Sequence, residues 1–146
     1  MKDNILYSNS AYKDYSNDQL EEVIKGAHLE GILALFDKGF DTEITSNSDN
    51  ISLGQKQLIA FMRAVLRSPE LLILDEATAN IDTITEKLLS DILKKLPKET
   101  TLVIIAHRLN TIENADEIYF VNSGEVIKAG TLDHAMNMLV KGKRNS

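Results

Sequence analysis

Two short, uninterrupted apolar runs constrain this chain more than any other feature. Leu71–Leu74 follows Pro69, and Leu102–Ala106 follows Pro97. A short all-apolar run set between breakers is the pattern of a strand buried on both faces. Between the two runs, Ile84, Leu88, Leu89 and Ile92 recur at helical spacing. Thr83 and Glu86, a residue pair suited to a capping box, open this stretch. Strand, helix, strand predicts a βαβ unit, whose two strands run parallel and end at one edge of the sheet. Ligands of open α/β sheets bind outside the carboxyl ends of the strands. The residues at that edge are Asp75 and Glu76 after the first run and His107 after the second.

The rest of the chain reads as helix with one hairpin. Ser16 and Gln19 form a capping-box pair ahead of Leu20, Val23, Ile24 and Ala27. Leu29 to Phe36 is expected to continue that helix and stop near Gly39, so the first forty residues read as helical and amphipathic. Thr42 to Asn50 is polar and reads as a loop. Gln55 to Arg67 is expected to be a helix with Leu58, Ile59, Met62, Val65 and Leu66 on one face, ended by Pro69. Glu117–Val121 and Glu125–Lys128 flank Asn122-Ser123-Gly124 as a β-hairpin, and Asp133–Val140 reads as a last helix.

Composition removes several function classes. A chain of 146 residues that is 43% hydrophobic can bury a core. It has no cysteine, hence no disulfide framework and no thiolate metal site. His28 and His134 sit in amphipathic stretches and read as surface or packing residues, and the scattered histidines lack metal-ligand spacing. A net charge of -6 argues against nucleic acid as the main partner. The basic tip of Lys141, Lys143 and Arg144 reads as a solvated tail. No apolar run approaches the roughly 20 residues that span a bilayer, and Met1–Asn4 does not read as a secretory signal. A role at a membrane would therefore run from its cytoplasmic side or through a partner.

Four features carry chemistry. Ser52-Leu53-Gly54-Gln55 is a small, glycine-containing loop opening a helix, where backbone N–H groups can bind an anion; Ser52 can equally be a plain N-cap. Asp75-Glu76 places two carboxylates at a strand end, which is costly unless a cation or water network uses them. Because side chains alternate along a strand, one acid can hold hydrated magnesium while the other orients and deprotonates water. Ala79-Asn80-Ile81-Asp82 precedes the next helix, and Asp82 reads either as an N-cap or as part of a functional loop. His107 reads as structural or, by its place at the same sheet edge, as functional.

In this order the residues resemble the nucleotide-binding domain of ABC transporters. Ile51-Ser52-Leu53-Gly54-Gln55 is similar to the family signature L-S-G-G-Q. Leu71–Glu76 is similar to the Walker B strand, Ala79–Asp82 to the D-loop and Ile105–Arg108 to the H-switch. Gln57–Pro69 follows the family pattern between signature and Walker B. Asp3-Asn4-Ile5 resembles the stretch after the exporter Q-loop, and Thr42-Glu43-Ile44 the start of the exporter X-loop. The resemblance implies an α/β fold: a partial P-loop NTPase core with parallel strands, a helical subdomain and a C-terminal β-hairpin. Residues 1–50 would form the helical subdomain and X-loop-like segment, and residues 51–146 the signature-to-H-switch half of the core.

The resemblance also implies roles. Asp75 would hold Mg2+ through water, Glu76 would be the general base, and His107 would contact the γ-phosphate of ATP. Ser52, Gly54 and Gln55 would cap the γ-phosphate of ATP on the opposite subunit, and Asp82 would couple the two sites across the dimer. The implied partners are a second nucleotide-binding domain and the transmembrane domain of an exporter, at the cytoplasmic face of the membrane. Three departures stand out. Leu53 replaces the first signature glycine, Thr45 and Ser48 stand where the X-loop has glycines, and no G-x-x-x-x-G-K-[ST] or Q-loop glutamine is present. The last makes the chain resemble the C-terminal part of a longer domain, inactive in isolation. Three readings stay open: an ATPase portion of an exporter, a non-catalytic module that donates its signature to a partner, and an ABC ATPase outside transport.

Overall fold

The structure, a computed structural model, describes residues 1–45, 50–75, 81–105, 114–122, 124–130, 132–134 and 136–138. The chain divides into two units, Met1–Val103 and Ile104–Ser146.

The first unit opens with a short helix α1 (Lys2–Ile5), which the apolar spacing does not announce. Helix α2 (Asn17–Gly26) begins as expected: Ser16 accepts from the Gln19 N–H, and the Gln19 side chain accepts from the Ser16 N–H. It does not run on to Gly39. His28 sits at φ 59°, and the chain restarts as the four-residue α3 (Glu30–Leu33). The break is a Schellman motif, in which the Leu29 N–H donates to Ile24 O and the His28 N–H to Lys25 O. Leu29 and Ile24, the positions whose apolar contact commonly accompanies this motif, are both buried in one core cluster. Leu29 therefore belongs to the cap, not to a continuing stripe.

Helix α4 (Leu53–Val65) starts at Ser52 and buries Leu58, Ile59, Met62 and Val65, as its spacing predicts, and Phe61 besides. Strand β1 (Leu71–Asp75) follows, then helix α5 (Thr83–Leu93) and strand β2 (Thr101–Ile105). β1 and β2 pair in one sheet. Their starting ends meet: the Thr101 N–H donates to Glu70 O at 2.7 Å, and Thr100 Oγ1 donates to Pro69 O at 3.1 Å. Start against start makes the pair parallel, the βαβ arrangement expected. The expectation that Leu71–Leu74 and Leu102–Ala106 are buried on both faces does not hold. Leu72 is buried and Leu74 half-buried, but Leu71 and Ile73 are 52% and 58% exposed, and Val103 is 42% exposed. One face carries Leu72, Leu74 and Leu102 into a single core with Leu20, Ile24, Ile32, Met62 and Leu89, while the other lies open.

α3 and α5 approach closely: a Cβ at Gly31 of α3 would lie 2.8 Å from Leu88 Cδ1 of α5, so a larger residue there would require the Leu88 side chain to shift. In the second unit, β3 (Tyr119–Asn122) and β4 (Glu125–Lys128) form the expected antiparallel hairpin, with Phe120 opposite Ile127. Gly124 at φ 84° supplies the left-handed turn residue. Residues 132–134 and 136–138 are helical, within the span expected for the last helix. Ile118 and Ala129 are buried there, with Leu132 and Met138 against them.

Candidate functional site

The amino end of α4 is built by a reciprocal pair. Ser52 Oγ accepts from the Gln55 N–H at 3.1 Å, and Gln55 Oε1 accepts from the Ser52 N–H at 2.9 Å. Ser52 is thus a true N-cap, and Gln55 completes a capping box, a role for Gln55 that the sequence reading did not assign. The box uses the N–H groups of Ser52 and Gln55. Among the described residues no hydrogen bond takes those of Leu53 or Gly54, the first two of a 13-residue helix. An unpaired N–H pair at the positive end of a helix dipole suits a phosphate oxygen. Gly54 is buried and adds no side chain between its N–H and a ligand, whereas the Leu53 side chain is 58% exposed at the rim.

Asp75 is the last residue of β1 and is exposed, at the sheet edge where a βαβ unit presents ligands. It offers a single carboxylate. Among the described residues no group of three or more His, Cys, Asp or Glu gathers as a metal cage. A magnesium ion held by one protein carboxylate keeps several waters and takes the rest of its shell from substrate phosphates. The residue therefore fits the ion only in that water-rich form. Glu76, Ala79, Asn80, His107 and Arg108 lie outside the described residues.

Asp82 is the N-cap of α5, in place of the Thr83–Glu86 capping box expected there. Its Oδ1 accepts from the Ile84 and Thr85 N–H groups at 3.0 Å each, and its Oδ2 accepts from Thr85 Oγ1 at 2.7 Å. Aspartate leads threonine as an N-cap, and here it saturates both oxygens, which moves the helix start one residue earlier. The Thr85 N–H and hydroxyl hold the Asp82 carboxyl below the usual carboxylate range. Ile84, beside it, is 84% exposed.

Ser52, Asp75 and Asp82 are all exposed, and α4, β1 and α5 rest on one shared core through Leu58, Leu72 and Leu89. The residue positions are thus fixed by packing behind them, not by bonds among themselves. A cavity of about 360 Å³, bordered by Tyr12, His28, Leu66 and Lys95, includes none of them. Two functional-looking side chains escaped the sequence reading altogether. Arg63 Nε donates to Asn4 O at 2.8 Å, and Arg67 Nη2 donates to Tyr7 O at 2.7 Å. A cation on a largely apolar helix and another just beyond its end were the available signal, but their carbonyl partners leave no mark in a sequence.

The chain matches the family model described as ABC transporter over residues 1–79. It is 47% identical to the uncharacterized ABC transporter ATP-binding protein YfiC of Bacillus subtilis (strain 168), over 91% of this chain and 22% of that protein. It is 42% identical to the ATP-dependent lipid A-core flippase of Vibrio cholerae, over 87% of this chain and 22% of that one. Among solved structures, a bacterial Atm1-family ABC exporter with ATP bound aligns with a TM-score of 0.73 and 28% identity, over 96% of this chain and 24% of the exporter. The chain thus spans roughly a fifth to a quarter of the length of these relatives.

Proposed function

The chain belongs to the ABC transporter family, and from that premise we propose that it is the signature-bearing portion of an exporter's ATP-hydrolysing subunit. It works at the cytoplasmic face of the membrane, with a second nucleotide-binding domain and a transmembrane domain. The observation that carries this reading is the amino end of α4, where the Ser52–Gln55 box leaves the N–H groups of Leu53 and Gly54 for an anion. Ser52, Gly54 and Gln55 cap the γ-phosphate of ATP held by the opposite subunit, so that ATP draws two subunits together. Asp75 holds Mg2+ through water. The ion, when bound, offsets the phosphate charge. Glu76 accepts the proton of the attacking water, and His107 contacts the γ-phosphate. Asp82 fixes the start of α5 at the dimer surface and couples the two sites.

One further reading is a module that donates its signature end, the Ser52–Gln55 box, to ATP held by a partner. One experiment addresses both. In the full-length exporter that carries this chain, Ser52→Arg places bulk and charge where the opposite γ-phosphate lies. Hydrolysis is expected to be abolished while ATP still binds, as measured by steady-state turnover and fluorescent-nucleotide titration. Wild-type turnover in Ser52→Arg would reduce Ser52 to a helix cap and remove the proposal. Micromolar MgATP affinity of the isolated 146-residue chain would exclude the donor-only reading.

A further inference from the structure

Arg63 of α4 and Arg67, just beyond the end of that helix, stand four residues apart, and both direct their donors at the main chain of a segment far away in sequence. Arg63 donates to Asn4 O at 2.8 Å and Arg67 to Tyr7 O at 2.7 Å. The Arg63 guanidinium also lies over the Tyr7 ring, 5.5 Å from its centroid. Asn9 Nδ2 closes the set from the other side, donating to Leu66 O at 3.1 Å. Below these polar ties, Ile5 is buried in the same core as Met62.

α1 has four residues, far fewer than the roughly 12–15 an isolated helix needs to persist in water. Its last carbonyls have no partner within the helix, and Arg63 satisfies that of Asn4, while Arg67 takes Tyr7 O, two residues beyond the helix end. The shape of residues 4–9 is therefore imposed by α4. Arginine suits this duty because its planar fork holds several donors in fixed directions. At 1.5 Å per residue, Arg63 lies about 16 Å along the helix from Ser52. A helix with so continuous a buried face moves as a rod.

We propose that Arg63 and Arg67 are positioning residues for the Ser52–Gln55 end. They lock residues 4–9 and α4 into one rigid body, so that a displacement of this segment is delivered along the helix axis to Ser52 and Gln55. The inference rests on the phosphate-capping role given above to that end.

The test uses the full-length exporter with spin labels at Ser8 and Lys56, both exposed, one at each end of the rigid body. Wild type is expected to give one narrow distance distribution, the same with and without MgATP. Arg63→Gln with Arg67→Gln is expected to broaden it. The pair is also expected to lower kcat roughly 10- to 100-fold, the scale of an ångström-sized misplacement, while fluorescent-nucleotide affinity stays within about twofold. Arg63→Lys, which can still donate to a carbonyl, is expected to recover part of kcat. An unchanged distribution in the double variant overturns the proposal, as does a broadened one with wild-type kcat. If the double variant does not fold, the exposed Arg67→Gln alone is read by the same criteria. The distance measurement needs no turnover, so it judges the rigid body even if Ser52→Arg shows that the capping role is wrong.

Discussion

Ser52 combines two demands that a substitution series can separate. As N-cap of α4 it satisfies the Gln55 N–H, and truncation to alanine is expected to cost about 1 kcal/mol of stability, read as a lower urea midpoint at constant m-value. Ser52→Thr keeps the oxygen and is expected to hold most of that stability. If Ser52→Ala leaves the midpoint unchanged, the capping box adds nothing to the fold. At this scale the sequence located the helix caps Ser52 and Asp82 and less of how other side chains are held. The Ser52 cap was legible because a serine just ahead of an apolar helical stripe is an N-cap signal. Arg63 and Arg67 were not, because their partners lie 59 and 60 residues away and are backbone atoms, which no side-chain pattern records.

At the scale of elements, periodicity located α2, α4, α5 and both strands, while their ends were decided by competition among caps. At His28 the apolar spacing carries through the break, since Leu29 serves the Schellman contact as well as it would serve a helical stripe. At α5, Asp82 displaced Thr83. That cap carries a pH dependence whose sign follows from its lowered pKa. The folded state binds the Asp82 proton less readily than the unfolded chain, whose aspartate titrates near 3.9. The stabilisation is present above that value and is lost as pH falls through the lower, folded one. Asp82→Asn, an uncharged cap, is expected to flatten the acid side of the stability profile, followed by circular dichroism between about pH 5 and pH 2. Superimposable acid profiles for wild type and Asp82→Asn would mean that the Thr85 bonds do not favour the charged form.

For the molecule as a whole, the open face of the β1–β2 sheet is the feature with the largest consequence. The all-apolar runs correctly signalled strands, but not the burial on both faces that such runs suggest. Whether both faces are covered depends on neighbours that the runs themselves do not contain. With Leu71, Ile73 and Val103 exposed, the isolated chain is expected to self-associate at micromolar concentration. Ile73→Lys with Val103→Lys is expected to suppress this in light scattering without loss of helical signal. A wild-type chain that stays monomeric and melts cooperatively would contradict that expectation.

The central claim is that these residues belong to an ATP-hydrolysing site, and Glu76, which follows Asp75 in sequence, tests it most directly. Glutamine keeps the size of Glu76 and can still hold a water, but it cannot accept a proton. In the full-length exporter, Glu76→Gln is expected to retain ATP affinity, to accumulate the ATP-bound dimer and to slow single-turnover phosphate release by about 10²–10⁴-fold. Asp75→Asn is expected to differ, by raising the magnesium concentration that turnover requires. Phosphate release from Glu76→Gln at the wild-type rate would place the base elsewhere and contradict the account.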